Sequence, residues 1–251
     1  MNVFGHACLA ARFFHTDPSL RRYVHDVGSG EKRLEIAGNL LGVSAMAFSM
    51  DAKRLYAVDQ SQKAVVSVWT TDGGRELLSF DTFTRPKDTD DLLLGSVPPT
   101  IAALSFSPDG RFLAAGMDER PFQSKAGKIV IWDVVANQPA RFIDETRGKL
   151  QGLAFTPDGK QLVAGGHVTI PREQFGKPYP AQTVRMVQLR VWDVAGGQLV
   201  RELATPDKQA GYGPIALSKD GRTLAAGCKD KILIWDFESA SVRCSIGVPQ
   251  R

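Results

Sequence analysis

A chain of 251 residues that is 43% hydrophobic has ample material for an apolar core, and its net charge of +4 comes from 31 basic and 27 acidic residues spread without clustering. No basic run is longer than Arg21-Arg22, which argues against a nucleic-acid surface, and no stretch reaches the roughly 18 apolar residues of a membrane helix. Cys8, Cys228 and Cys244 form no C-x-x-C pair and leave one unpaired, a usage that fits the cytoplasm and neither a disulfide framework nor a metal site.

The N-terminal run MNVFGHACLAARFF lacks a basic residue before its apolar stretch and contains His6, so it reads as strand and not as a signal peptide. A first unit over residues 7–37 has three predicted strands: Cys8–Phe14, Arg22–Val27 and Lys32–Ile36, separated by Thr16-Asp17-Pro18 and Gly28-Ser29-Gly30. A second, 41–80, turns at Ser49-Met50-Asp51-Ala52, continues through Leu55–Val58 to Trp69-Thr70, and ends in Glu76–Phe80. Its turn lacks glycine; a left-handed Ala52 costs on the order of 1 kcal/mol. The connection Asp81–Pro99 follows, rich in Asp, Pro and Thr.

The third unit, 100–144, is the clearest. Ile101–Phe106 and Phe112–Ala115 flank Ser107-Pro108-Asp109-Gly110, a type I turn with Pro pre-setting φ and Gly where a left-handed residue is wanted. Lys128–Val135 adds a strand ending in Trp132-Asp133. These runs are short and β-branched, hence strands, and apolar on both faces, hence covered on both. The fourth unit, 150–204, turns at Asp158-Gly159, takes an insertion at Gly165–Gln188, and resumes at Trp192-Asp193. The fifth, 213–247, turns at Asp220-Gly221 and reaches Trp235-Asp236.

All four tryptophans, Trp69, Trp132, Trp192 and Trp235, fall at one place in this repeating order. The chain resembles the WD-repeat family of β-propellers, whose repeats of roughly 40–45 residues each form a four-stranded blade. The resemblance implies an all-β fold of about five blades. The first lacks its innermost strand, and His25-Asp26 stands where the others carry Trp-Asp. With no strand at the C-terminus to complete that blade, the expectation is a strained five-bladed ring or an open arc belonging to a larger propeller, whose exposed blade faces should self-associate. In the family the indole N–H joins a network with a Ser or Thr, a loop His and a turn Asp. Here Gly-His is absent before blades two to five, so rigidity is expected to come mainly from apolar packing.

The chemistry-bearing residues point away from catalysis. There is no G-x-S-x-G elbow and no phosphate loop, the four histidines lack metal-ligand spacing, and the Asp-Gly turns lack the alternating oxygens of a calcium loop. No catalytic residue, metal or cofactor is expected. The resemblance also implies two faces. On one, every turn is tight. On the other lie three long segments, 81–99, 118–127 and 165–188, and loops of that length are usually functional or disordered. A partner protein or peptide is expected there, with Phe175 and Tyr179 as anchors and Arg172, Lys177, Arg85 and Lys87 as charged contacts. The leading expectation is a non-catalytic interaction scaffold. The alternative is a propeller enzyme or small-molecule binder using polar groups at the channel mouth.

Overall fold

A computed structural model of the chain describes residues 8–9, 12–16, 22–26, 28–36, 43–49, 51–59, 65–81, 100–118, 127–146, 149–174, 177–203, 212–228 and 231–247. Among them there is no helix, and the strands form five four-stranded antiparallel sheets. The first blade holds β1 (Cys8–Leu9), β2 (Arg12–Thr16), β3 (Arg22–Asp26) and β4 (Lys32–Ile36). The second holds β5 (Val43–Phe48), β6 (Arg54–Asp59), β7 (Val65–Thr70) and β8 (Glu76–Asp81). In the third are β9 (Thr100–Phe106), β10 (Phe112–Asp118), β11 (Gly127–Asp133) and β12 (Gln138–Thr146). The fourth comprises β13 (Lys149–Phe155), β14 (Gln161–Gln174), β15 (Lys177–Asp193) and β16 (Leu199–Leu203). The fifth comprises β17 (Tyr212–Leu217), β18 (Thr223–Cys228), β19 (Lys231–Asp236) and β20 (Ser241–Gly247).

Two expectations need correction. The first blade does not lack its innermost strand: Cys8–Leu9 pairs with Arg12–Phe13 as a two-residue inner strand. Cys8–Phe14 therefore falls in two strands, Cys8–Leu9 and Arg12–Thr16, which an unbroken apolar run conceals. The insertion Gly165–Gln188 is likewise not a loop. It continues β14 and β15 to 14 and 17 residues as one hairpin, register-paired from Gln161↔Asp193 out to Gln174↔Lys177. Val168-Thr169-Ile170 and Val184–Val187 supply the β-branched content. Pro171, Pro178 and Pro180 hide that signal from a reading that treats proline as a strand breaker.

Turn chemistry sets where each sheet folds back. Gly110 has φ of 71° and its N–H bonds back to the Ser107 carbonyl, the conformation that its Asp-Gly sequence favours. Ala52 takes the same left-handed place with φ of 55°, carrying a Cβ penalty that the glycine turns avoid.

The core lies between blades and not within them. Call the side of a blade facing its predecessor the leading face, and the other the trailing face. The trailing residues Tyr56 and Val68 of the second blade pack with Leu113, Val130 and Trp132 on the leading face of the third. Ala114, Ile129 and Ile131 meet Leu150, Leu153 and Trp192, and Val163, Leu189 and Val191 meet Leu224, Leu233 and Trp235. These three tryptophans therefore sit on leading faces, buried to 6%, 1% and 0% exposure. A buried indole removes about 200 Å² from water, a gross gain on the order of 5 kcal/mol before entropy costs. That far exceeds the 0–1 kcal/mol typical of a surface ion pair, so apolar seams hold the blades in order.

Candidate functional site

The tight-turn face is built from one recurring hydroxyl–carboxylate unit. In the fourth blade Thr156 Oγ1 donates to Asp158 Oδ1 at 2.6 Å and accepts the Gln161 N–H at 3.0 Å, while the Lys160 N–H donates to Asp158 Oδ1 at 3.0 Å. Ser49 with Asp51, Ser107 with Asp109 and Ser218 with Asp220 repeat it. The hydroxyl is the largest cause holding each of these four carboxyls below the ordinary aspartate range, with the backbone N–H next.

The Asp that follows the repeating aromatic does the same work at the other turn. Asp133 Oδ1 accepts the N–H groups of Val135 and Ala136 at 3.0 and 2.9 Å, and Arg111 Nε donates to Asp133 Oδ2 at 3.0 Å. Asp193 accepts the Gly196 N–H. Asp26, after His25, accepts from Gly28 and Ser29 at 2.9 and 3.0 Å. In the second blade, where Thr70 replaces Asp, its hydroxyl accepts the Arg75 N–H at 3.2 Å. Asp236 accepts the Ser239 N–H at 2.9 Å and pairs with Arg243; the first of these, then the second, brings its pKa down to about 2. Carboxylates held this firmly ionised by turn N–H groups are structural caps and poor general acids. Among the described residues no group of three or more His, Cys, Asp or Glu could hold a metal ion. Trp192 Nε1 is buried without a hydrogen-bond partner, so the indole network that the family resemblance implies is not made there.

The opposite face carries the hairpin. β13 pairs with β14 only as far as His167, and β16 with β15 only from Leu189. Beyond those points, among the described residues, the two strands pair with each other alone. Seven residues, Val168 to Gln174, at about 3.3 Å each make a ribbon projecting about 23 Å. Arg172 stands opposite Tyr179, and Lys177 opposite Gln174, so three expected contact residues share the ribbon's far end. Phe175, Arg85 and Lys87, and residues 119–126 of the segment 118–127, lie outside the described residues.

Two functional side chains escaped the sequence reading. Arg141 Nη1 donates to the Gly196 carbonyl at 3.2 Å, reaching from the third blade to the fourth. Arg201 donates to the carbonyls of Glu238 and Phe237 at 2.9 and 2.5 Å, with its guanidinium 4.8 Å from the Phe237 ring centre, reaching from the fourth to the fifth. Both stand opposite the residue preceding the repeating Trp, at Ile131 and Val191. The only trace in sequence is an Arg in each of two outer strands.

The family model "WD domain, G-beta repeat" matches residues 94–133, which span the Ser107–Gly110 turn and Trp132-Asp133. The matched segment is a WD repeat, and the chain folds as blades of a β-propeller. A solved chain of Kuenenia stuttgartiensis hydrazine synthase superposes with a TM-score of 0.70 at 18% identity, over 95% of this chain and 65% of that one. The chain thus spans about two thirds of the length of that protein, and at such identity the likeness carries fold and no chemistry. No curated protein matches it in sequence.

Proposed function

We propose that this WD-repeat protein is a non-catalytic scaffold for protein–protein interaction, binding a protein or peptide on the face that bears the hairpin. The observation that supports this best is the projecting ribbon itself. Among the described residues its two strands pair only with each other beyond the blade, so it adds little to a seam, yet their register brings positions 172, 177 and 179 to one end. In this reading Phe175 and Tyr179 are the anchors, since aromatic residues give contact area at small entropy cost, and Arg172 and Lys177 are charges that speed encounter. Arg85 and Lys87 belong to the same reading through the neighbouring connection. The capped, ionised carboxylates of the turn face favour a scaffold over an enzyme at the channel mouth. The working compartment is the cytoplasm, and a second copy of the chain is among the partners.

The test is affinity capture with the full chain and with a chain whose ribbon, Val168–Met186, is replaced by an Asn-Gly turn. Partners should be retained by the first and lost by the second, and Tyr179→Ala should weaken the same partners while Ser241→Ala on the other face does not. Equal retention by the full and trimmed chains would place binding elsewhere.

A further inference from the structure

Four Asp-Gly dipeptides occur in the chain, beginning at Asp72, Asp109, Asp158 and Asp220. Such a dipeptide is open to isomerisation because glycine has no Cβ to shield its nitrogen from the preceding carboxyl. Three of the four are locked. The Gly110, Gly159 and Gly221 N–H groups donate to the Ser107, Thr156 and Ser218 carbonyls at 2.9, 2.8 and 2.8 Å. Asp109, Asp158 and Asp220 each accept a Ser or Thr hydroxyl and the N–H two residues on. Those bonds hold the three carboxyls below the ordinary aspartate range, so little of the reactive neutral acid is present. The nitrogen and the carboxyl that isomerisation must join are both engaged elsewhere.

The fourth dipeptide, Asp72-Gly73, lies in the turn between β7 and β8, and both its residues are exposed. At the place of Gly73 the other blades tie the backbone N–H to the aspartate that follows the repeating aromatic. Ser29 donates to Asp26 at 3.0 Å, Ala136 to Asp133 at 2.9 Å, Gly196 to Asp193, and Ser239 to Asp236 at 2.9 Å. The second blade has Thr70 there, and its hydroxyl accepts the Arg75 N–H at 3.2 Å instead. Among the described residues neither the Gly73 N–H nor the Asp72 carboxyl has a hydrogen-bond partner. The blade that lost the capping aspartate is the one whose turn carries Asp-Gly.

We propose that Asp72 is a site of spontaneous isoaspartate formation, and that folding selects it from the four Asp-Gly dipeptides. The Gly73 nitrogen attacks Asp72 Cγ, a C–N bond forms and the Cγ–O bond of the neutral carboxyl breaks. The amide proton and the departing hydroxyl leave as water, and a five-membered succinimide remains. Water then adds at either ring carbonyl. Opening at Cγ restores aspartate; opening at the main-chain carbonyl routes the chain through Cβ and Cγ and frees the α-carboxylate. No oxidant, metal or cofactor enters the step. The product places an extra main-chain methylene in the turn that returns β8 to β7 at Trp69↔Glu76. It also presents, on an exposed turn, the substrate of an enzyme that methylates isoaspartyl carboxylates. The inference does not depend on the hairpin as a binding arm.

The test ages the 251-residue chain at neutral pH and physiological temperature and maps isoaspartate peptide by peptide, with enzymatic methylation as the label. Isoaspartate should accumulate at Asp72 while Asp109, Asp158 and Asp220 stay α-linked. In urea all four should isomerise at similar rates, since the distinction belongs to the fold. Thr70→Asp restores the cap of the other blades and should slow accumulation at Asp72 about tenfold, the effect of one turn hydrogen bond on the attacking nitrogen. Asp72→Glu, which closes no five-membered ring, should remove the signal. Equal isoaspartate at all four sites of the folded chain would overturn the proposal. So would an Asp72 that stays α-linked while the unfolded chain converts, or a Thr70→Asp chain that isomerises as fast as wild type.

Discussion

A Ser or Thr hydroxyl, a carboxylate two residues on, and the two successive backbone N–H groups that they accept make up the smallest unit on which this fold depends. The unit recurs at Ser49–Asp51, Ser107–Asp109, Thr156–Asp158 and Ser218–Asp220. Ser-Pro-Asp-Gly was readable in sequence because each residue type has its own reason to be there: a hydroxyl acceptor, a fixed φ, a carboxylate and a left-handed glycine. The same chemistry gives the protein an acid limit. Asp236 has its pKa lowered from 3.8 to about 2, and the four turn aspartates, Asp26 and Asp133 are also held below their ordinary values. A folded-state pKa below the unfolded one contributes stability that is fully present above the unfolded value and lost as pH falls through the folded value. Stability should therefore be level above about pH 4 and decline steadily toward about pH 2, followed by urea midpoints measured across that range. An Asp236→Asn variant should show a shallower decline. A midpoint that is constant from pH 5 to pH 2 would mean these carboxylates do not carry the turns.

The blade is legible in sequence where its strands are short and bounded by glycine or proline, and obscure where either rule is broken. β9 to β11 satisfied it: two apolar runs, a tight turn, and a third run ending in Trp132-Asp133. β1 broke it because a two-residue strand leaves no periodicity to count. β14 and β15 broke it because prolines punctuate strands that, among the described residues, pair only with each other beyond the blade, where a proline's missing N–H is tolerated at an edge. Arg172, Lys177 and Tyr179 are expected contacts on side-chain type alone, and strand register places their positions at one end of the hairpin, which periodicity does not reveal. No property of sequence foretold that Arg141 and Arg201 bridge blades, since that depends on which carbonyls of the next turn come within reach. Blade-to-blade fit is close at Gly165, where Ile215 fills the space a Cβ would need. Gly165→Val should overpack that seam and cost about 2 kcal/mol, seen as a lower urea midpoint at unchanged m. Gly30→Ala, in open space but at φ of 71°, should cost about 1 kcal/mol through the backbone alone. If the two variants lost the same stability, close packing at the seam would not be the governing cost.

At the scale of the molecule, stability follows the number of covered faces. Among the described residues, apolar clusters cover both sides of the third and fourth blades and the leading face of the fifth, whose outer strand β20 is exposed throughout. Local opening free energy rises with buried apolar contact, so a repeat array of this kind should not protect its amides evenly. Hydrogen exchange should be slowest at Ile129–Trp132 and Val191-Trp192, whose side chains are 0–6% exposed. It should be faster at Ile232–Trp235 and fastest along Ser241–Gly247. Protection at Ala225 and Ile234 equal to that of the third blade would mean the fifth blade's other face is sealed as well, and the propeller would be closed.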